Sequence, residues 1–198
     1  MKKIVLVITL AAFALSGAAF AQDPNYQDNI GIYTDEAGTD NCGVLAAGVP
    51  HVVYLVLTKL TNGAVAGWEA KISPVNMFLT SFANRGQAID VGSRPDEHVV
   101  GFASPLPASP GAGGGVVVVA DLQIFITDDS SPSYFFADEI YFSLLENGLP
   151  AYLDGASGGH SLHPALGDVS DPIFIANGDC APVANEDSSF GSVKSLFR

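Results

Sequence analysis

Few residues of this sequence combine a reactive side chain with a useful spacing, and the acidic turn after residue 34 is one place where they do. Asp35, Glu36 and Asp40 lie close together, with Gly38 among them. Carboxylate oxygens in a turn are the hard ligands that calcium requires. Their order does not match an EF-hand loop, and acidic residues in an acidic protein need no ion. Calcium at Asp35, Glu36 and Asp40 is therefore one interpretation, and a solvated turn is the other.

Two histidines, His160 and His163, stand two residues apart in a loop rich in glycine and proline. A metal could use this spacing, but no nearby Cys or Glu completes a zinc set. We therefore expect a solvated loop here. Two further acidic pairs offer the calcium pattern in weaker form, namely Asp128 with Asp129 and Asp168 with Asp171.

The motifs of common enzyme families do not occur in the sequence. It contains no nucleophile elbow, HExxH helix, Walker loop or dinucleotide fingerprint. The glycine run Gly111 to Gly115 is not followed by Lys-Ser/Thr, and Val116 begins a strand rather than the helix that a phosphate loop needs. Ser, Asp and His residues distant in sequence could still meet as a triad. We predict a protein that is not an enzyme, with no catalytic residues and no cofactor other than the possible calcium.

Aromatic side chains are the candidates for binding sugars, which stack on flat rings that face solvent. Trp68, the single Trp, shares its strand face with Ala70 and Ile72, so we expect it in the core. Phe125 lies on an otherwise polar strand face, and the three aromatics of residues 134–136 cannot all point inward. Phe125 and Tyr134 are therefore the predicted ligand-binding residues.

The two cysteines, Cys42 and Cys180, are an even pair. In an exported protein such a pair favours a disulfide, with the Cα atoms about 5.5 Å apart. A metal pair or two buried free thiols are the alternatives, but no other soft ligand flanks either residue.

The elements that must position these residues follow an N-terminal export signal. Lys2 and Lys3, an apolar run from Ile4 to Leu15 and the small-x-small site at residues 19–21 form the pattern of a secretory signal peptide. The run is too short to span a bilayer. We expect a signal peptide at 1–21, one domain at 22–184 and a C-terminal tail at 185–198. The mature protein should be secreted, extracellular or at the cell surface, with the periplasm also possible.

The charge of the chain disfavours two classes of partner. It has 8 Lys and Arg against 21 Asp and Glu. Loss of Lys2 and Lys3 with the signal leaves 6 against 21, a net charge of −15. Such a surface repels phosphate backbones and anionic lipid heads, so we expect no nucleic-acid partner and no membrane insertion after signal cleavage.

Hydrophobic period predicts an all-β fold. Residues 68–72 alternate apolar and charged side chains, and residues 121–127 repeat that alternation, as a strand with one wet face does. Apolar, β-branched runs at 52–57 and 116–120 predict central strands. Weaker strands are expected at 30–33, 78–82, 99–103, 134–136, 151–153 and 173–176. Residues 139–146 are the one candidate helix, and the Pro/Gly-rich residues 105–115 are expected to form a long mobile loop.

Short strands with dense turn signals are typical of an antiparallel two-sheet β-sandwich of jelly-roll or Greek-key order. Within it, Val53 to Thr58, the turn Asn62-Gly63 and Val65 to Ile72 resemble the paired early strands of cohesin-like and related carbohydrate-binding β-sandwich domains of bacteria. Residues 99–103 followed by 116–127 fit the same layout. This resemblance implies an extracellular binding or scaffolding module rather than an enzyme.

The last ten residues differ in composition from the domain before them. They are similar to a terminal tail found on many exported bacterial proteins, aromatic-Gly-x-Val/Ile-Lys-x-Leu-aromatic-Arg, with Phe where Trp is usual. The matching residues are Phe190, Gly191, Lys194, Phe197 and Arg198. The resemblance implies a sorting tag, and an edge strand or a frayed terminus is the alternative.

These observations predict a secreted, non-catalytic binding or scaffolding module of the bacterial cell exterior, with a protein partner. The alternative is a carbohydrate-binding module, attached to or acting beside extracellular glycan-degrading enzymes. An exposed aromatic row on one sheet would favour a glycan, whereas a smooth apolar patch with bare edge strands would favour a protein.

Overall fold

The structure is a computed structural model that describes residues 26–168 and 170–180. The predicted signal peptide and the tail with Phe190, Gly191, Lys194, Phe197 and Arg198 lie outside the described residues. The described residues contain no helix long and apolar enough to cross a membrane. They form fourteen strands, which are β1 (Asn29–Tyr33), β2 (Cys42–Gly43), β3 (Pro50–Leu60), β4 (Ala64–Val75), β5 (Phe78–Asn84), β6 (Ala88–Asp90), β7 (Glu97–Pro107), β8 (Ser109–Gly111), β9 (Gly114–Phe125), β10 (Ser133–Asp138), β11 (Ala151–Asp154), β12 (Gly159–Ser161), β13 (His163–Pro164) and β14 (Phe174–Ala176).

The strands form two sheets. Sheet A has the order β13-β1-β3-β9-β5, with β8 paired to β9. Sheet B has the order β12-β11-β4-β10-β14-β2, with β7 paired to the other side of β4 and β6 to β7. All pairs are antiparallel except β1 with β13 and β14 with β2. The predicted two-sheet sandwich is confirmed, and the two short parallel pairs are its departure from a purely antiparallel fold.

The core lies between the sheets and follows from the period-2 alternation of the long strands. In sheet A it receives alternate side chains such as Leu55, Leu57, Leu122 and Ile124, all fully buried. Sheet B contributes Trp68, which is 3 % exposed, together with Ala70 and Ile72. The packing of the two inner sheet faces against each other supplies most of the stabilisation of a sandwich, because it removes the apolar area of these side chains from water. The predicted inward placement of Trp68 is confirmed.

Two local predictions were wrong. Residues 105–115 are not a long loop, because β7 continues to Pro107 and β8 then pairs with β9 around a turn at Ala112 and Gly113. Gly113 has φ +80°, which a glycine adopts without the steric cost of a side chain. The glycine run therefore closes a hairpin.

Residues 139–146 form turns and bends rather than a helix. Backbone N–H groups that would donate within a helix donate instead to glutamate side chains. Tyr141 N–H donates to a carboxylate oxygen of Glu97 at 3.3 Å, and Leu144 N–H donates to one of Glu69 at 2.6 Å. Both acceptors lie on sheet B, so this segment is held across the outer face of that sheet.

Candidate protein-binding face

The outer face of sheet B has a row without polar side chains that runs across four adjacent strands. Ile89 of β6 lies opposite Gly101 of β7, which lies opposite Gly67 of β4, and Gly67 lies opposite Leu153 of β11. Residues directly opposite each other in an antiparallel pair point to the same face. Ile89 is 71 % exposed, and the two glycines leave a flat strip between it and Leu153.

The next row along the strands is apolar except for Glu69 of β4. Val99 of β7 lies opposite Glu69 of β4, and Val91 joins it through a backbone hydrogen bond from Val91 N–H to Val99 C=O at 2.9 Å. Leu144 crosses above Glu69 and helps to line a depression of about 90 Å³. We call the glycines Gly67 and Gly101, together with Ile89, Val91, Val99, Leu144 and Leu153, the sheet B patch.

Two aromatic side chains border the sheet B patch. Phe142 is 82 % exposed, and Tyr141 packs edge-on against it with ring centroids 4.6 Å apart. The guanidinium of Arg94 lies 5.3 Å from the centre of the Tyr141 ring, within cation–π range. Arg94 also forms an ion pair with Glu97 at 3.1 Å, which anchors this border to β7.

The predicted ligand-binding aromatics do not meet. Phe125 lies on the outer side of sheet A between the buried Ile124 and Ile126, whereas Tyr134 lies on the outer side of sheet B next to the buried Phe135. Both side chains are half-buried. They therefore belong to opposite faces of the sandwich and form no common platform.

The predicted calcium ligands have separate partners. Asp35 accepts hydrogen bonds from the backbone N–H groups of Thr39 and Asp40, and Asp40 accepts one from the Thr34 hydroxyl at 3.1 Å. Glu36 forms an ion pair with Arg85 at 2.6 Å. In the described part of the chain no three His, Cys, Asp or Glu side chains are grouped as a metal site would need.

The two histidines of the 160–163 segment point to different neighbours. His163 stacks on Tyr26 with ring centroids 4.4 Å apart. His160 Nε2 lies 3.0 Å from Asp154, and the hydrogen bond from His160 lowers the pKa of that carboxyl. Tyr152 packs beside His160 and donates to Asp28, and burial raises the pKa of Tyr152 to about 12. These contacts join β11 and β12 to the segment before β1.

The Cys42–Cys180 disulfide is present, with the Cα atoms 5.7 Å apart. It connects β2 to the residues that follow β14, the strand beside it in sheet B. The predicted bond is confirmed, and it fixes the last described residue to the edge of sheet B.

A second recess lies on the outer face of sheet A. Its floor is Val116 and Val118, and its volume is about 590 Å³. Leu106, Pro107 and Pro110 form one wall, and the loop with Glu36, Ala37 and Thr39 forms the other. We call this recess the sheet A groove.

Arg85 stands at one end of the sheet A groove, between two carboxylates. Its Nη2 contacts Asp121 at 2.5 Å and Glu36 at 2.6 Å. The hydrogen bonds to Asp121 and Glu36 raise the pKa of Arg85 above its ordinary value. Two carboxylates against one guanidinium leave this end of the groove with a net charge of −1.

Sequence reasoning missed Ile89 and Val91 of the sheet B patch and the two aromatic residues at its border. Ile89 lies in the short strand β6 and Val91 just after it, in a segment where no strand was predicted, and Tyr141 and Phe142 fell within the expected helix. A usable signal was the polar setting of Ile89 and Val91, between Gln87 and Ser93, because isolated apolar residues beside turns are often exposed.

Solved structures similar to this chain share the cohesin fold. The sixth cohesin of scaffoldin B from Acetivibrio cellulolyticus, solved in complex with a Cel5 dockerin mutant, aligns with a TM-score of 0.50 at 10 % identity, over 78 % of this chain and 100 % of that chain. The cohesin module of a family 33 glycoside hydrolase from Clostridium perfringens aligns with a TM-score of 0.44 at 11 % identity, over 69 % and 90 %. A non-cellulosomal cohesin from Archaeoglobus fulgidus aligns with a TM-score of 0.40 at 9 % identity, over 69 % and 85 %.

The chain therefore has a cohesin-like fold. The sequence itself matches no protein-family model and no curated protein.

Proposed function

We propose that this chain is a secreted, non-catalytic protein-binding or scaffolding module, and that its partner docks on the sheet B patch. The observation that carries the proposal is the flat aliphatic strip from Ile89 across Gly101 and Gly67 to Leu153. A contiguous exposed apolar surface rimmed by polar residues is typical of a protein interface. The scaffoldin B cohesin of similar fold was solved with a dockerin, which supports a protein as the class of partner.

The position of Gly101 allows a test that leaves the fold intact. A Cβ atom at Gly101 would have no heavy atom within 4 Å, so a large side chain there projects into solvent. Gly101→Arg should cover the sheet B patch and exclude a partner. Gly63→Arg is the matched control, because a Cβ atom at Gly63 also meets open space and that residue lies in the turn between β3 and β4.

Partners would be captured from the extracellular fraction of the source culture, identified by mass spectrometry, purified and titrated against each variant. We expect Gly101→Arg to weaken binding at least about tenfold, equivalent to about 1.4 kcal/mol, and Gly63→Arg to bind like the wild type. Equal binding by the wild type, Gly101→Arg and Gly63→Arg would show that the partner does not dock on the sheet B patch.

Export rests on the signal pattern at residues 1–21 and is supported by the disulfide, a bond that persists in oxidising compartments. Cleavage should leave Gln22 as the first residue. Intact-mass analysis of the protein recovered outside the cytoplasm tests this, and a mass that retains residues 1–21 would contradict it.

A carbohydrate-binding module is the second candidate, and the exposed pair Tyr141 and Phe142 is the observation that favours it. Rings of this kind stack on sugars. Tyr141→Ala with Phe142→Ala should abolish glycan-array binding if this candidate is right. If the chain is instead the protein-binding module proposed above, the double variant should still bind the protein partner that Gly101→Arg excludes, with most of its affinity retained.

A further inference from the structure

The sheet A groove lies on the opposite side of the sandwich from the sheet B patch, so it is free to serve a second ligand. Its floor and one wall are apolar, and its charged end is net negative because Asp121 and Glu36 share Arg85. An occupant that matches it is a short segment with apolar side chains and a positive charge.

The chain itself contains such a segment. Residues 189–198 contain Phe190, Val193, Leu196 and Phe197 for an apolar floor, and Lys194 and Arg198 for an acidic end. The segment has no acidic residue, whereas the chain as a whole carries a net charge of −13. Charge and apolar character therefore both match the groove.

The disulfide brings the start of the tail near the groove. Cys42 follows Thr39, a residue of the groove wall, by three positions, so their Cα atoms lie at most about 11 Å apart. The Cα atom of Cys180 is 5.7 Å from that of Cys42. Cys180, the last described residue before the tail, therefore lies no more than about 17 Å from the groove wall.

The linking chain is long enough to cover this distance. Ser189 follows Cys180 by nine positions, and an extended chain of nine residues spans up to about 30 Å. The chain after Cys180 is therefore long enough for residues 189–198 to bind in the groove of the same molecule without moving any described strand.

We propose that the sheet A groove binds residues 189–198 of the same chain, with the apolar tail side chains over Val116 and Val118 and a basic one beside Glu36 and Asp121. The tail is then held against the domain until another molecule competes for it. A sorting machinery that reads this tail would have to displace it from the groove first.

Hydrogen exchange of the full-length mature chain tests the proposal, with the backbone amides of residues 190–197 as the readout. A flexible tether gives an effective concentration of about 1 mM, so a groove affinity of about 0.1 mM holds the tail in place about nine-tenths of the time. We expect these amides to exchange about tenfold more slowly than the unprotected rate.

Groove variants link the protection to this surface. Ala37 and Ala112 are exposed residues of the groove lining, so Ala37→Lys with Ala112→Lys adds repulsive charge without disturbing the core. The double variant should return the tail amides to the unprotected rate. Ala156→Lys, on an exposed turn outside the groove, is the matched control and should leave the protection unchanged.

Three results would overturn the proposal. The first is unprotected exchange of residues 190–197 in the wild type. The second is protection that survives in the groove double variant while its thermal unfolding matches the wild type. The third is protection that rises with protein concentration together with a larger sedimentation coefficient, because the tail would then occupy the groove of another copy.

Discussion

His98 Nδ1 lies 2.7 Å from a carboxylate oxygen of Asp90, and this contact ties the short edge strand β6 to β7. The other Asp90 oxygen accepts from the backbone N–H groups of Gly92 and Val99, each at 3.0 Å. The His98 ring also stacks on Phe82 of β5 with ring centroids 4.1 Å apart, so it forms a contact between sheet B and sheet A. The Asp90 carboxylate therefore adds a side-chain anchor to the backbone pairing of β6 with β7, the pair that presents Ile89 to the sheet B patch.

Asp90→Asn should destabilise the protein at neutral pH. Burial raises the pKa of Asp90, but hydrogen bonds from His98, Gly92 and Val99 outweigh it and hold this pKa below its ordinary value of 3.8. A carboxyl with a lowered folded pKa adds stability above its unfolded pKa, and that stability is lost as pH falls through the folded pKa. We expect Asp90→Asn to cost about 2 kcal/mol at pH 7 and progressively less below pH 3.8.

Urea denaturation of the wild type and of Asp90→Asn, at pH 7 and again below pH 3.8, measures how the cost of the substitution changes with pH. Asp129→Asn is the control, because this exposed carboxylate accepts a long hydrogen bond, from the Ala47 N–H at 3.4 Å. A penalty for Asp90→Asn that stays constant down to pH 2 would contradict the role assigned to the carboxylate.

Cys42→Ser should destabilise the protein as much as replacing both cysteines. The bond closes a loop with a sequence separation of 138 residues. Chain-entropy arithmetic gives about 5 kcal/mol for such a loop, and native disulfides typically contribute between about 2 and 5 kcal/mol. Denaturant unfolding of the single and double variants tests the equality. Two free thiols in the denatured, natively exported protein would refute the bond.

Gly114→Ala should destabilise the fold, whereas Gly101→Ala should not. A Cβ atom at Gly114 would lie 2.6 Å from the carbonyl carbon of Lys59 and 2.8 Å from its Cα, both of them backbone atoms that cannot move aside alone. Forced contacts of this kind typically cost between about 1 and 3 kcal/mol. Thermal and urea unfolding of the two variants provide the comparison. Equal stability would show that β3 and β9 can separate at this point.

Deletion of residues 189–198 should change the melting temperature by only a few degrees and alter where the protein is retained. The tail lies beyond the disulfide that closes the sandwich, so its loss removes no described strand. Calorimetry and fractionation of the source culture measure the two effects. A drop of more than about 10 °C would show that the tail is an integral strand, and unchanged retention would remove the sorting role.

The sequence by itself determined most of the longer strands and the sides that they bury. The alternation at residues 68–72 and the apolar runs at 52–57 and 116–120 are local patterns. Because alternate side chains of a strand point to opposite faces, such a pattern specifies which side chains are buried. The disulfide also followed from the sequence, because an even pair in an exported chain has few other uses. These inferences need no knowledge of which strand lies beside which.

Only the tertiary structure decided what the surfaces present. The sheet B patch exists because Gly101, Gly67 and Leu153 come from strands β7, β4 and β11, which pair far apart in sequence, and Ile89 extends the row from β6. Long-range contacts also explain why residues 139–146 do not form the expected helix. Two of their backbone N–H groups donate to Glu69 and Glu97 on sheet B, and neither acceptor is near this segment in the sequence. Strand neighbours are set by long-range pairing rather than by local propensity, so a face that spans several strands has no signature in any single segment.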